Sequence, residues 1–519
     1  MEGWDLADKD RRGIGYWIRR RAELFPEAWA LSDADQDMTF GVFNRQVNRL
    51  AQAMRREGIR PGDRVAGLML NSIPFLQTLF ACAKLGAIFV PINFRLTAPE
   101  IRYILEDAGV SGILYHKVFA AAVEPACSAQ VKQWPVGDLG SGLVNPFPPE
   151  LIGDSEQEPE LPIDPVSPHV MMYTSGTTGR PKGAMISHRN ATWNAIQLML
   201  HQAGLRPGDV ILTVAPMFHI GGLGVHTLPA IYQGLPVVLL PRFDAQEVLA
   251  AVSQHRVTAL FLVPAMWMAI SQAPDFDSLD LTSLRVLISG GAPCPIPIIE
   301  FFQSRGLNFL EGFGMTETAP NSMILDSKDA VRKNGSIGLP LFHQEARVVA
   351  PDGRDVLPGE VGELVLRGPN IFEGYWNNPR ATAAAFAGGW FHTEDLARQD
   401  DEGFFYLVDR QKDMLISGGE NVYPVEVEQV LYRHPAVREV AVIGVPDARW
   451  GEVPLAVIAL REGAQAPSLA DLTAFCESQL ARFKIPKHVV VTEGLPRNAT
   501  GKVLKTVLRK QYGASGAGA

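Results

Sequence analysis

Between residues 170 and 309 the chain alternates short apolar runs with longer stretches in which apolar positions recur every three or four residues. The runs at 210–214, 237–240, 259–263 and 286–288 have the length and branched content of buried strands. The stretches between them read as helices. Asp244-Ala-Gln-Glu247 forms an acidic capping box at the head of one of them, DAQEVLAAVSQH. Residues before about 165 repeat the alternation: an apolar run at 65–70, a helix-like stretch at 74–85 and a second run at 88–91. The segment 146–165, rich in Pro, Glu and Asp, reads as a loop between two subdomains. After about 340 the texture changes. Residues 347–349, a turn at Asp352-Gly353 and residues 363–367 form a β-rich patch. Beyond the charged cluster at 409–413, the stretches MLISGG, PVEVEQVLYRH, VREVAVIGV and PLAVIAL make a small α+β unit. The predicted fold is therefore α/β: a large N-terminal domain of layered α/β subdomains with a β-rich patch, followed by a small, mobile C-terminal α+β domain. The expected domains are 1–411 and 412–519.

Composition narrows the class. The 519 residues carry 47 Lys and Arg against 56 Asp and Glu, a formal charge of −9, which disfavours nucleic acid as a partner. Cys82, Cys127, Cys294 and Cys476 lie far apart with no C-x-x-C spacing, as expected of reduced thiols in a cytoplasmic protein. The N-terminus lacks the apolar core of a secretory signal. The most apolar region, 66–90, is broken by Asn71, Pro74, Gln77 and Lys84, so it reads as strand, turn and core helix rather than a membrane span. Arg19, Arg20 and Arg21, with Trp4 and Trp17, offer a peripheral contact with an anionic membrane surface; a solvated helix face is the simpler reading.

The candidate chemistry begins at YTSGTTGRPKGAMISH, residues 173–188, just after an apolar run. Glycines that let the backbone curl, short hydroxyls and Lys182 together make an anion nest suited to a polyphosphate. The spacing matches neither the common P-loop nor a complete G-x-G-x-x-G. Five further features follow. His219 lies in PMFHIGG, where glycines leave room for a ligand, although a lone histidine is more often structural. Gly291, Ala292 and Pro293 follow a predicted strand, where ligands bind in open α/β sheets. Glu311, Gly312, Phe313, Gly314, Met315, Thr316 and Glu317 combine an aromatic face for a base, a hydroxyl for a phosphate and a carboxylate for a hard cation. Asp395, with Arg410 downstream, can hold the cis hydroxyls of a ribose. Lys502 follows a turn in PRNATGKVLK.

The order of these pieces (YTSGTTGRPKG, PMFH, GGAP, GFGMTE, the aspartate, DR-x-KD and a late GK) resembles the adenylate-forming superfamily of acyl-CoA synthetases, carrier-loading adenylation domains and luciferases. The resemblance spans essentially the whole chain. IGYWIRRRAELFP, VPINFRLTAPEIRYIL, DMLISGGENVYPVEVE, GVPDARWGE and PRNATGKVLK look like bacterial long-chain fatty-acyl-CoA synthetases.

The resemblance implies an ATP-dependent ligase that joins a carboxylic acid to AMP and then transfers the acyl group to CoA, with Mg²⁺ as metal. A medium- or long-chain fatty acid is the leading expectation for the acid. An aryl or hydroxycinnamate CoA ligase is the alternative, and a nucleotide-binding regulator with a dead site is the alternative of another class. By the same resemblance Thr174, Ser175, Gly176, Thr177, Thr178, Gly179 and Lys182 hold the β- and γ-phosphates. Thr174 and Glu317 attend the metal. Gly291, Ala292 and Pro293, with residues 311–316, border the adenine and α-phosphate. Asp395 and Arg410 bind the ribose, and Lys502 contacts carboxylate and α-phosphate oxygens. Lys412 is the hinge of the small domain. Ser417, Gly418, Gly419 and Glu420 belong to the face that meets CoA, and His219 gates the acyl pocket. A homodimer is a further implication. The chain departs from the family pattern at Glu394, where glycine is usual, and at Phe313, where tyrosine is common.

Overall fold

The computed structural model describes residues 12–140, 146–174, 180–411, 413–447, 449–498 and 501–513. Four sheets carry the chain. The first has seven strands, and five of them run parallel: Pro168–Thr174, Ile88–Pro91, Arg64–Leu68, Val110–His116 and Lys132–Val136. Lys182–Ser187 and Gly374–Tyr375 extend it antiparallel at one edge. The second has nine strands. Its parallel centre is Phe309–Gly314, Val286–Ser289, Ala259–Leu262, Ile211–Thr213, Val237–Leu239 and Trp29–Ser32. The predicted strands thus fall where the apolar runs are, with ends shifted by a residue or two.

Against the seven-stranded sheet lies the helix Ile73–Leu85, in which every residue is buried. Ser72 caps its start by accepting the Phe75 N–H, and Gly86 ends it in the left-handed conformation. Phe75 packs edge-on against Phe89, and Phe80 against Phe43. Each such ring contributes roughly 1.5–3 kcal/mol by leaving water. The reading of 66–90 as strand, turn and core helix is what the structure has. No helix among the described residues is long and apolar enough to cross a membrane.

Two local expectations need correction. Asp244 caps the helix Ala245–His255 by accepting the N–H groups of Gln246 and Glu247, but the described bonds include no reciprocal bond from Glu247, so the cap is one-sided. Trp17 does not face outward: it is buried, edge-on to Tyr232. Arg21 donates twice to the Tyr232 carbonyl, while Arg19 and Arg20 pair with Glu23. The helix Gly15–Leu24 therefore spends its tryptophan and one arginine on the interior.

The β-rich patch is a four-stranded antiparallel sheet ordered Glu345–Val349, Val361–Arg367, Phe391–Gln399 and Phe405–Arg410. A five-stranded sheet follows, built on the long hairpin Val437–Asp447 and Gly451–Leu460 and backed by the helix Pro424–Leu431. It has its own core, with Val427, Leu431, Val442, Ile458 and Leu472 all inaccessible to water. A core separate from those of the large sheets lets such a unit move as one body.

Candidate active site

Residues just past the carboxyl ends of the parallel strands of the nine-stranded sheet line one cleft. Pro216 follows Ile211–Thr213, Val263 follows Ala259–Leu262, Gly290 and Gly291 follow Val286–Ser289, and Phe313 and Gly314 end their own strand. This is where an open α/β sheet leaves a crevice. Gly291 has φ +82°, a turn that favours glycine.

The cleft has two connected parts. The first, about 490 Å³, is lined by Thr174, Lys182, His219, Gly291, Gly312, Phe313, Gly314, Met315, Thr316, Glu317, Arg410 and Lys502, among others. The second, about 690 Å³, shares Gly291, Phe313, Arg410 and Lys502, and adds Ala292, Pro293, Glu311 and Asp395. Most of the residues singled out in the sequence thus come together. Ser175, Gly176, Thr177, Thr178, Gly179 and Lys412 lie outside the described residues. Ser417, Gly418, Gly419 and Glu420 do not line either part. They form a hairpin beside Trp450, whose carbonyl accepts the Gly418 N–H.

Glu317 is buried, and its carboxylate accepts the Tyr375 hydroxyl at 2.9 Å. Burial raises its pKa above the ordinary carboxylate value; Lys182 and Arg410 pull the other way. Lys182 also sits over the Tyr375 ring, with its Nζ 4.5 Å from the centroid. Tyr375 therefore bridges a cation and a carboxylate, a role that sequence reading did not find. It lies 58 residues beyond Glu317 on a two-residue edge strand, in no recognisable motif.

Asp395 and Arg410 are cross-strand partners in the four-stranded sheet, and the Arg410 Nε lies 3.2 Å from the Asp395 Oδ1. Thr393, just upstream, donates to the Leu364 carbonyl and accepts the Asp395 N–H. Between them, Glu394 has φ +58°. The glycine usual at this position would take that conformation without strain, whereas a side chain there costs about 1 kcal/mol. The loop shape is thus kept in spite of the substitution, with the Glu394 N–H held by Glu363 and its carbonyl accepting the Gln411 N–H. Glu394→Gly is expected to leave the melting temperature unchanged or raise it, and to lower the KM for the nucleotide about two- to fivefold by removing a negative charge at short range. Thermal unfolding and a nucleotide titration check this; a lower melting temperature would refute the strain argument.

Glu311 is enclosed at the inner wall of the second part. One oxygen accepts the Cys294 N–H at 3.3 Å, and burial pushes its carboxyl up to about 7. His219 is held neutral, burial pushing it down to about 4. Its Nε2 has no partner among the described residues. Beside it the wall is backbone: a Cβ at Gly222 would stand 2.3 Å from the Ala215 carbonyl oxygen. The backbone of Lys502 is held by its neighbours: its N–H donates to the Asn498 side chain, the Asn498 N–H donates to the Lys502 carbonyl, and Arg497 donates to the Gly501 carbonyl.

Among the described residues no three His, Cys, Asp or Glu side chains gather as a metal cage. The Glu317 carboxylate and the Thr174 hydroxyl line the same part of the cleft, oxygen donors that suit a cation such as Mg²⁺, which commonly takes one or two carboxylates and completes its shell with water and substrate phosphates.

A cleft lined by both domains, with a buried carboxylate, Lys182, Arg410 and Lys502, and an aspartate–arginine pair, suits an enzyme that acts on a nucleotide and an acid. Comparison with known proteins agrees. The chain matches the AMP-binding enzyme family over residues 18–376 and the AMP-binding enzyme C-terminal domain over residues 426–502. It is 43% identical over 502 residues to a feruloyl-CoA synthase of Amycolatopsis sp, covering 97% of this chain and 99% of that protein. It is 38% identical over 507 residues to the long-chain-fatty-acid–CoA ligase FadD13 of Mycobacterium tuberculosis, with the same coverage. An anthranilate CoA ligase solved with anthranoyl-AMP superposes with a TM-score of 0.90 at 30% identity, covering 97% of this chain and 98% of that one. An o-succinylbenzoate CoA synthetase of Bacillus subtilis solved with ATP and a magnesium ion gives 0.82 at 34% identity, covering 95% and 99%. The chain belongs to the AMP-binding enzyme family. It is an acyl-CoA ligase of the AMP-forming kind, whose enzymes use ATP, Mg²⁺ and CoA.

Proposed function

We propose that this ligase activates a compact aromatic acid of the arylpropenoate or benzoate type. The observation that carries this reading is the shape of the first part of the cleft. One stretch of its lining is apolar or neutral (Ala215, His219, Val225, Phe261, Ile288 and Pro320), and there Gly222 packs so closely on the Ala215 carbonyl that no side chain can be added. Phe261 packs directly on Gly221, where a Cβ would stand 2.9 Å from its ring, and this closed end favours a compact acid over an extended alkyl chain. A cavity of about 490 Å³ must also take the reacting end of the nucleotide, which leaves room for a small acid. The feruloyl-CoA synthase and anthranilate CoA ligase similarities support the same reading. A fatty acid is the second reading, favoured by the apolar lining and the similarity to FadD13. Retention of Thr174, Glu317 and Lys502 argues against an inactive regulator.

On this reading the acid carboxylate attacks the α-phosphorus of ATP, the bond to the β-phosphate oxygen breaks, and pyrophosphate leaves. In the second step the CoA thiolate attacks the acyl carbon and AMP leaves. Thr174, residues 175–179 and Lys182 take the β- and γ-phosphates. Gly291, Ala292, Pro293 and residues 311–316 border the base, with Phe313 supplying its π-face. Asp395 and Arg410 hold the ribose. Lys502 neutralises charge growing on the α-phosphate oxygens. Glu317, with Thr174, would hold Mg²⁺, which when bound offsets polyphosphate charge. With Lys412 as its hinge the small domain swings to exchange Lys502 for the hairpin bearing Ser417, Gly418, Gly419 and Glu420 at the CoA channel.

The test is ATP–pyrophosphate exchange and CoA-thioester formation with acetate, octanoate, palmitate, benzoate and ferulate under one set of conditions. Ferulate or benzoate is expected to exceed palmitate at least about tenfold in kcat/KM, since misfit of more than a methylene or two in a shaped pocket costs that much. Palmitate as the best substrate would establish the second reading instead.

A further inference from the structure

The helix Pro424–Leu431 meets the large domain along one face. At its first turn the Val425 N–H donates to the Asp409 Oδ2 at 3.1 Å. One turn later Gln429, on the same face, reaches across to the loop after Gly291-Ala292-Pro293. Its Nε2 donates to the Cys294 carbonyl at 3.1 Å, and its Oε1 accepts the Ile296 N–H at 3.2 Å. The two bonds bracket Pro295, which has no N–H of its own to offer. Other side chains of the helix are engaged within the small domain, Glu426 with Lys484 at 2.8 Å among them. Val427 and Leu431 fill the small domain's core, and Glu428 pairs with Lys505 at 2.8 Å. Gln429 is thus committed at both ends of its amide to main chain of the other domain.

We infer that Gln429 is a positioning residue, an amide clasp that holds the small domain in the arrangement that puts Lys502 into the cleft. The inference rests on the two-step reading above. It goes beyond that reading by naming what fixes one arrangement against the other. The clasp grips the segment directly after Pro293 on the base side, so docking the helix and shaping that wall are one event. When the small domain turns, both bonds must break together, and Asp409 must release Val425. Gln429 touches no reacting atom. It acts by weighting the populations of the two arrangements.

Loss of two neutral hydrogen bonds shifts such an equilibrium by about tenfold. Gln429→Ala is therefore expected to slow ATP–pyrophosphate exchange about tenfold. Thioester formation from a supplied acyl-adenylate is expected to stay at the wild-type rate or rise. Gln429→Glu keeps the acceptor for Ile296 but loses the donor and sets a charge against the Cys294 carbonyl, so it should reproduce the loss of exchange at preserved side-chain length. A simple structural role would lower both steps alike, so equal losses, through unfolding or otherwise, overturn the inference, as does exchange within twofold of wild type in both variants. If the wild type itself performs neither step with any acid, the two-step reading fails. If it performs both and the variants keep its ratio of rates, only the clasp fails.

Discussion

Lys502→Ala is expected to lower ATP–pyrophosphate exchange about 100- to 1000-fold, the usual cost of removing one preorganised charge partner from a transition state. The ground for this is geometric. Lys502 is one of few cationic residues that line both parts of the cleft, and Thr174, Glu317 and Arg410 share the first of them. Three hydrogen bonds that do not use its side chain hold its backbone and that of Gly501, so truncation should leave the backbone in place. Transfer from a supplied acyl-adenylate to CoA should remain largely intact, because on the two-step reading the turn of the small domain carries Lys502 out of the cleft before that step. Equal loss of both steps would remove Lys502 from this role.

Glu317→Gln is expected to be comparable in size, about 100-fold or more in the adenylating step, because the change leaves volume and the Tyr375 contact in place while deleting the charge. The Mg²⁺ dependence of the exchange should move to higher concentration. Stability gives an independent readout. Burial raises the folded pKa of Glu317, so its contribution to folding is present below the ordinary carboxylate range and is lost as pH rises through the raised value. At neutral pH and without metal or nucleotide, the variant should therefore melt no lower than the wild type. A large fall in melting temperature would make Glu317 a structural residue; unaltered metal dependence would remove it from the metal site.

What the sequence made legible followed from locality. Gly291, Phe313 and Glu317 each sit in a short signature at the end of an apolar run, and a strand end in an α/β sheet points its loop into the crevice. The layered fold was readable for the same reason, since buried parallel strands are apolar throughout. What escaped is made by distant pieces. Tyr375 reaches Glu317 from an edge strand of the other large sheet, and Gln429 reaches Cys294 across 135 residues. Neither carries a local pattern, because their partners are set by topology. Trp17 misled because charged neighbours suggested an outward face, while its ring packs on Tyr232. Glu394 was visible as a departure, but only its φ of +58° reveals that the turn survives it.

The glycine wall beside His219 also bears on how this enzyme's choice of acid could be altered. Any side chain at Gly222 would collide with main chain, at 2.3 Å from the Ala215 oxygen, and main chain has nowhere to retreat. At Gly221 the obstacle is only the Phe261 ring, 2.9 Å away, which can turn aside. On the reading of this part of the cleft as the acyl site, variation in substrate range would fall on lining side chains such as Phe261, Val225 and Ile288 rather than on Gly222. Exchanges at Phe261 would reshape the cavity, whereas a side chain at Gly222 could be admitted only by rebuilding the loop that carries the Ala215 and Pro216 carbonyls.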